Sequence, residues 1–268
     1  MKLRLTFPGL IMIAWVALAC GASVLPLHPD DLLLSKILAA PAGQAWFGYD
    51  DLGRPIADRV IMGARTSLYV ALCVTLLSLV IGTCFGVLAG WCGDWWDRLA
   101  VLVIDVFIAF PGILLAIALA GLLGPGIMNA VIALSVVGWV GFARLARAQT
   151  LAVKQRDHVT AAIALGTSNL RIAWQHLLPL ILAPLIVEAT FAIAGTVLAE
   201  ASHSFLGLGV QPPQASWGSM IRDGTRYMLV APHMVLAPGS AVFLVVLSVN
   251  LLGDALRDRM DVRLRERT

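Results

Sequence analysis

Charge is what this sequence has least of. Asp, Glu, Lys and Arg supply 13% of its 268 residues, about half the share of an average soluble domain. Lysine occurs only at Lys2, Lys36 and Lys154, never after a glycine. A phosphate-cradling G-x-x-x-x-G-K-[ST] loop is therefore excluded. No H-E-x-x-H pair, nucleophile elbow or dinucleotide fingerprint occurs, and Gly207-Leu208-Gly209 lacks the strand and helix that a phosphate loop needs. The four cysteines show no C-x-x-C spacing. Cys20, Cys73 and Cys84 lie inside apolar runs and Cys92 at the edge of one, as small apolar residues do. The five histidines (His28, His158, His176, His203, His233) are scattered, with no pair at ligand spacing on one helix. No catalytic residue, metal site or bound cofactor is expected, and no nucleic-acid partner.

Hydrophobic residues fill the space that charge leaves. They make up 59% of the chain, and the mean hydropathy is +0.87. A soluble protein has nowhere to bury so much apolar surface, whereas several runs reach the ~20 residues of a membrane-crossing helix. The expected fold class is an all-α membrane protein. Six spans are expected, at residues 7–27, 68–90, 99–123, 127–145, 180–201 and 235–252. The fourth is short at its polar end, where Arg144 and Arg147 can snorkel.

Orientation follows the bias of Lys and Arg. With the N-terminus inside, thirteen of the nineteen fall on the cytoplasmic side. The outer side keeps Lys36, Arg54, Arg59, Arg65, Arg222 and Arg226. Both termini are therefore expected in the cytoplasm. The first residues, with a basic start, an apolar run and Ala-Leu-Ala-Cys at 17–20, loosely resemble a lipoprotein cleavage box. The run continues past Cys20 to Leu27 and further spans follow, so an uncleaved first span is expected. The chain divides into a first span with an outer loop (1–66), a five-span core (67–256) and a cytoplasmic tail (257–268). Glycine and proline punctuate the spans, at Gly82, Gly86, Pro111-Gly112, Pro184 and Pro238-Gly239, where helix packing tolerates them.

Ionisable groups within spans are costly and mark functional sites. Asp105, Glu188 and Glu200 are the candidates. Glu188 and Glu200, twelve positions apart, stand about 120° apart around a helix and share no face. Only Glu188 is deep, and a lone carboxylate makes a poor proton relay. A self-sufficient ion-coupled transporter is thus the weaker reading.

The longest cytoplasmic interruption is "HVTAAIALGTSNLRIAWQHLLP", residues 158–179. Residues 158–165 read as a two-turn helix that Gly166 stops, and Thr167, Ser168 and Asn169 offer cap chemistry for a second short helix over 170–178. The result is an elbow with a small-residue surface for another protein's groove. The pattern alone leaves open a loop resting on lipid headgroups.

That stretch resembles the signature loop of bacterial ABC-importer permeases: Glu-Ala-Ala, three residues, Gly, nine residues, then Ile-x-Leu-Pro. Ala161, Ala162, Gly166, Leu178 and Pro179 fall on its positions, while Thr160 replaces the Glu and His176 the Ile. Residues 46–68, 204–224 and 250–261 are similar to blocks of the second permease of dipeptide, oligopeptide and nickel importers. His203 departs from the Leu usual there, and Val262 from a Pro.

The resemblance implies the type I importer permease fold, with a coupling helix between spans four and five. It implies His158, Val159, Thr160, Ala161, Ala162, Leu165, Gly166, Thr167 and Ser168 as the contact with a separate ATPase. Partners would be a homologous second permease, two ATPases that use ATP and Mg, an extracytoplasmic substrate-binding protein and the lipid bilayer of the bacterial inner membrane. Peptides are the expected solute, with nickel or a metal chelate as the alternative. Asp105, Glu188, Glu200, His203 and Asn250 are candidate polar liners of the pathway, with packing roles open for each. Residues 54–65 are read as an interfacial helix, or a lid near the binding protein. Residues 211–217 are read as a rigid outer loop, and a further contact for that protein. In the tail, Asp254 with Arg257 and Asp261 with Arg265 have helix-compatible spacing.

Overall fold

A computed structural model of the chain describes residues 2–43 and 45–260, with side chains described from Thr6 onward. The pair Asp261–Arg265 and the Val262 position lie outside the described residues. Helix α1 (Lys2–Gly21) ends six residues before the expected limit of the first span. Val24 and Leu25 turn their N–H groups back onto the Gly21 carbonyl, and Pro26 follows, a residue that keeps its predecessor out of helical backbone. The apolar part of α1, Thr6–Gly21, is shorter than a straight crossing requires.

Helix α2 (Ile56–Cys92) runs for 37 residues, about 55 Å at 1.5 Å per residue. The interfacial helix expected over 54–65 is thus continuous with the second span from Ile56 onward, and Gly63 does not interrupt it. A boundary at 66/67 falls inside this helix.

The third span needs the larger correction. It is two helices, α3 (Asp94–Ala109) and α4 (Gly112–Leu123), bent by 83°. Phe110 and Pro111 are extended, and the Pro111 carbonyl restarts the helix by accepting from Leu114 and Leu115. Pro111 was expected within a packed span; here its missing N–H and ring end α3 outright. Pro184 and Pro238, by contrast, sit inside continuous helices.

Helix α5 (Ile127–Lys154) and the short α6 (Asp157–Ala164) follow. Next, α7 (Asn169–Ile172) passes through a π-helical turn (Ala173–Leu177) into α8 (Leu178–Phe205). The second short helix expected over 170–178 is therefore the foot of the fifth span, one 37-residue rod. After α9 (Trp217–Thr225) comes α10 (His233–Met260), which straddles the expected core–tail boundary at 256/257. Among the described residues four helices are long and apolar enough to cross a membrane. They are α2, α5, the 169–205 rod and α10, and the bent pair can supply a fifth.

The centre is the α2–α5 seam. Ser78, Gly82, Gly86 and Gly90 recur every four residues along one ridge of α2. A Cβ added at Gly82 would strike Phe142, one at Gly86 the Ala143 carbonyl, and one at Gly90 would meet the Thr150 Cβ at 2.9 Å. Small residues at this spacing let two backbones approach in a lipid environment, where packing rather than water exclusion drives association. Around the seam, Trp15 of α1, Ala71 of α2, Val197 of α8, Trp217 of α9 and Val245 of α10 bury one another.

The outer segment before α2 is locked by charge. Asp50 accepts from the backbone N–H groups of Leu52 and Arg54 at 2.9 and 2.8 Å and from Arg54 Nε at 2.6 Å. Arg59, only 4% exposed, reaches Asp30 and the Pro29 carbonyl. At the end of the 211–217 segment, expected as a rigid contact loop, Trp217 is buried. Its indole N–H donates to the Val60 carbonyl at 2.9 Å, beside Gly63, where a side chain would not fit.

Candidate coupling elbow and solute pathway

Helix α6 ends in a Schellman arrangement. Gly166, at φ +75°, donates to the Ile163 carbonyl at 3.0 Å, and Thr167 donates to the Ala162 carbonyl at 3.1 Å. The glycine expected to stop the helix does so by reaching the left-handed region without a Cβ penalty. Ser168 holds the N-cap position of α7, yet its side chain makes no capping bond.

The candidate coupling residues divide by exposure. Val159 and Ala162 are buried against Ala146, Val153, Ile172, Leu177 and Ile181, so they anchor the elbow to α5 and α8. His158, Thr160, Ala161, Leu165, Gly166 and Ser168 are exposed, and Thr167 is half-buried. Thr160, where the importer signature has Glu, turns its hydroxyl onto its own helix, to the Arg156 carbonyl. Leu165, Leu170 and Trp174 are left 86%, 72% and 65% exposed. The bare surface is therefore more apolar than the small residues alone suggest. His158 and His176, unrelated by sequence spacing, have ring centroids 5.9 Å apart.

Two further contacts brace this end of the bundle. Arg147 does not snorkel; it grips Asp97 with both ends of its guanidinium fork. Lys154 donates to the Trp91 carbonyl at 2.7 Å, which places its charge on the negative end of the α2 dipole.

Two cavities follow α8. The first, about 350 Å³, lies among α2, α4, α5 and α8 and has Thr75, Ser78, Thr196, Glu188 and His203 on its otherwise apolar wall. His203 is fully buried, and its Nδ1 lies 2.8 Å from the Ala199 carbonyl. That partner only accepts, so Nδ1 carries a proton, and Nε2 is buried without a hydrogen-bond partner among the described residues. The second cavity, about 730 Å³, opens among the elbow-side ends of α5, α8 and α10, with Gln149, Arg156, Glu188 and Arg257 on its wall. Glu188 borders both.

The other expected liners sit elsewhere. Asp105 is exposed on α3 and lines neither cavity. Asn250 donates to the Val246 carbonyl of its own helix at 2.8 Å. Glu200, 1% exposed, accepts from the Ser204 hydroxyl at 2.7 Å, and that hydroxyl accepts from the Val210 N–H. This chain of bonds ties the loop after α8 to the helix. Asp254 and Arg257 form no ion pair among the described residues. Sequence reasoning missed Gln149, Arg156 and Arg257, which lie far apart along the chain. Thr75 and Ser78 left a readable signal, two hydroxyls at i,i+3 inside an apolar run.

A helical bundle with a bent helix pair, a short-helix elbow and polar-walled cavities beside one central rod has the architecture of a membrane transport component. The chain belongs to the family described as binding-protein-dependent transport system inner membrane component, whose model matches residues 82–266. It is 40% identical to the dipeptide transport system permease protein DppC of Alkalihalophilus pseudofirmus, over 98% of this chain and 88% of that one. It is 39% identical to the glutathione transport system permease protein GsiD of Pectobacterium atrosepticum, over 96% and 86% of the two chains. The GsiD protein of Escherichia coli is 44% identical over 84% of this chain and 74% of its own. Among solved structures, a chain of the MetNI methionine ABC transporter in inward-facing conformations has a TM-score of 0.62, with 21% identity over 77% of this chain and 98% of that one. That likeness concerns the fold alone.

Proposed function

We infer that this chain is one permease subunit of an ATP-driven importer in the bacterial inner membrane. It pairs with a second, homologous permease, and the solute pathway forms between them. Two ATPase subunits bind and hydrolyse ATP with Mg on the cytoplasmic side, and an extracytoplasmic binding protein delivers the solute. The chain crosses six times, through α1, α2, the bent α3–α4 pair, α5, the 169–205 rod and α10, with both termini in the cytoplasm. The solute is a small peptide, a reading supported by the dipeptide and glutathione transport named for its relatives.

One observation carries this reading: the elbow is rigidly anchored through Val159 and Ala162 and yet ends in a bare Leu165. An apolar tip of this kind calls for a partner groove. Leu165→Asp should leave the fold intact, since the side chain is mostly exposed, while ATPase subunits no longer co-purify and peptide uptake in proteoliposomes is lost. Unchanged co-purification and uptake would sink the coupling role. Uptake by this chain alone, without ATP or partners, would replace the importer by an ion-coupled transporter.

A further inference from the structure

The cytoplasmic cavity holds charges of both signs. Glu188 stands on its wall with Arg156, at the N-cap of α6, and Arg257, near the end of α10. None of the three forms an ion pair among the described residues. Glu188 lies ten positions into α8, about 15 Å along that helix from Leu178. The two arginines belong to that end. A carboxylate at such depth without a partner is costly, and two guanidinium forks that share its cavity without engaging it leave five donors each unclaimed by it.

Beside these charges and Gln149 the wall carries apolar side chains, with Val187 and Phe191 on α8 and Leu145 on α5. This pattern is the electrostatic complement of a zwitterion with uncharged side chains. Arginine suits the carboxylate end because its planar fork matches two oxygens at once. The volume, about 730 Å³, lies within the range of small-molecule sites. Glu188 also borders the cavity above, so a solute descending the pathway meets the carboxylate before the arginines.

We propose that this cavity is a transit site for zwitterionic peptides, in which Glu188 accepts hydrogen bonds from the α-ammonium while Arg156 and Arg257 hold the α-carboxylate. The proposal rests on the importer reading for its solute class and adds the groups that recognise it.

The test uses the assembled complex in vesicles, without binding protein or ATP. A hydrophobic carbodiimide labels Glu188, and labelling is followed by peptide mass spectrometry. L-alanyl-L-alanine should slow labelling about tenfold at about ten times its dissociation constant. N-acetyl-L-alanyl-L-alanine and L-alanyl-L-alanine amide, each lacking one charge, should protect far less. Arg257→Gln and Arg156→Gln should each reduce protection by the zwitterion to the level of the amide. No protection by the zwitterion, equal protection by the blocked peptides, or full protection in both arginine variants would overturn the site. The comparison of three peptides on the unmodified complex needs no variant to fold. Uptake of the same dipeptide through its binding protein is scored separately: protection without uptake leaves the site standing and overturns the peptide-importer reading.

Discussion

Arg147 and Asp97 form a two-bond pair, Nε to Oδ1 at 2.5 Å and Nη2 to Oδ2 at 2.7 Å, which ties the first turn of α3 to the C-terminal half of α5. The side chains are 25% and 22% exposed, so solvent screens the pair only in part. Its fork geometry matters as much as its charge. Arg147→Gln should cost about 1–2 kcal/mol of stability, read as a lower unfolding temperature in detergent. Arg147→Lys should recover less than half of the loss, since a point charge cannot bridge both oxygens. Full recovery by lysine would show that charge alone matters.

The α2–α5 seam predicts a steep dependence on side-chain size. Gly86→Val forces a side chain into the Ala143 backbone and should cost about 3 kcal/mol or more, because neither rod can shift without opening the bundle. Gly121→Ala on α4, where nothing lies within 4 Å, should instead gain up to about 1 kcal/mol from helix propensity. Folded yield after size-exclusion chromatography separates the two. Equal yields would refute the close-approach account.

Val159 and Leu165 lie on one short helix and its cap but should fail differently. Val159 is fully buried, and Val159→Asp places an unpaired carboxylate in an apolar core, at a cost of about 3 kcal/mol or more. The chain itself should lose thermal stability before any partner is added. Leu165→Asp should leave that stability within about 0.5 kcal/mol, as exposed substitutions do. A stable Val159→Asp chain would mean that the elbow is not anchored as described.

Asp51 makes the outer lock sensitive to pH. Burial first, and then the charge of Asp50, raise its carboxyl above the usual value, against the pull of Arg54. Folding therefore disfavours the ionised form. This penalty is full above the folded pKa and vanishes below the unfolded one. Stability contributed here should rise as pH falls from neutrality through the carboxylate range. Asp51→Asn should raise the unfolding temperature at neutral pH and flatten the slope on the acid side. An unchanged slope would exclude Asp51 as its source.

The elbow shows how far sequence reasoning reaches. Gly166 was legible as a helix stop because its role is local: a left-handed turn needs a residue without Cβ. Leu170 to Leu178 was misread because local signals suggested a separate helix, while a π turn carries the backbone through without a break. Pro111 was misread in the opposite sense. A proline is tolerated in a packed helix or ends it, and neighbouring elements decide which. Glu188 was legible as the deep carboxylate, since depth follows from position along an apolar run. Its companions Arg156 and Arg257 were not, since nothing in the spacing of 156, 188 and 257 announces a shared cavity.

The sequence by itself determined the solvent. With so little charge and such long apolar runs, the chain can satisfy its backbone in lipid only as helices. It also determined the elbow's position and its stop. Tertiary structure decided the rest: which glycines meet a backbone, which candidate residues anchor and which stay bare, and which distant charges border one cavity. These are contacts between segments far apart along the chain, fixed by packing rather than by any local preference.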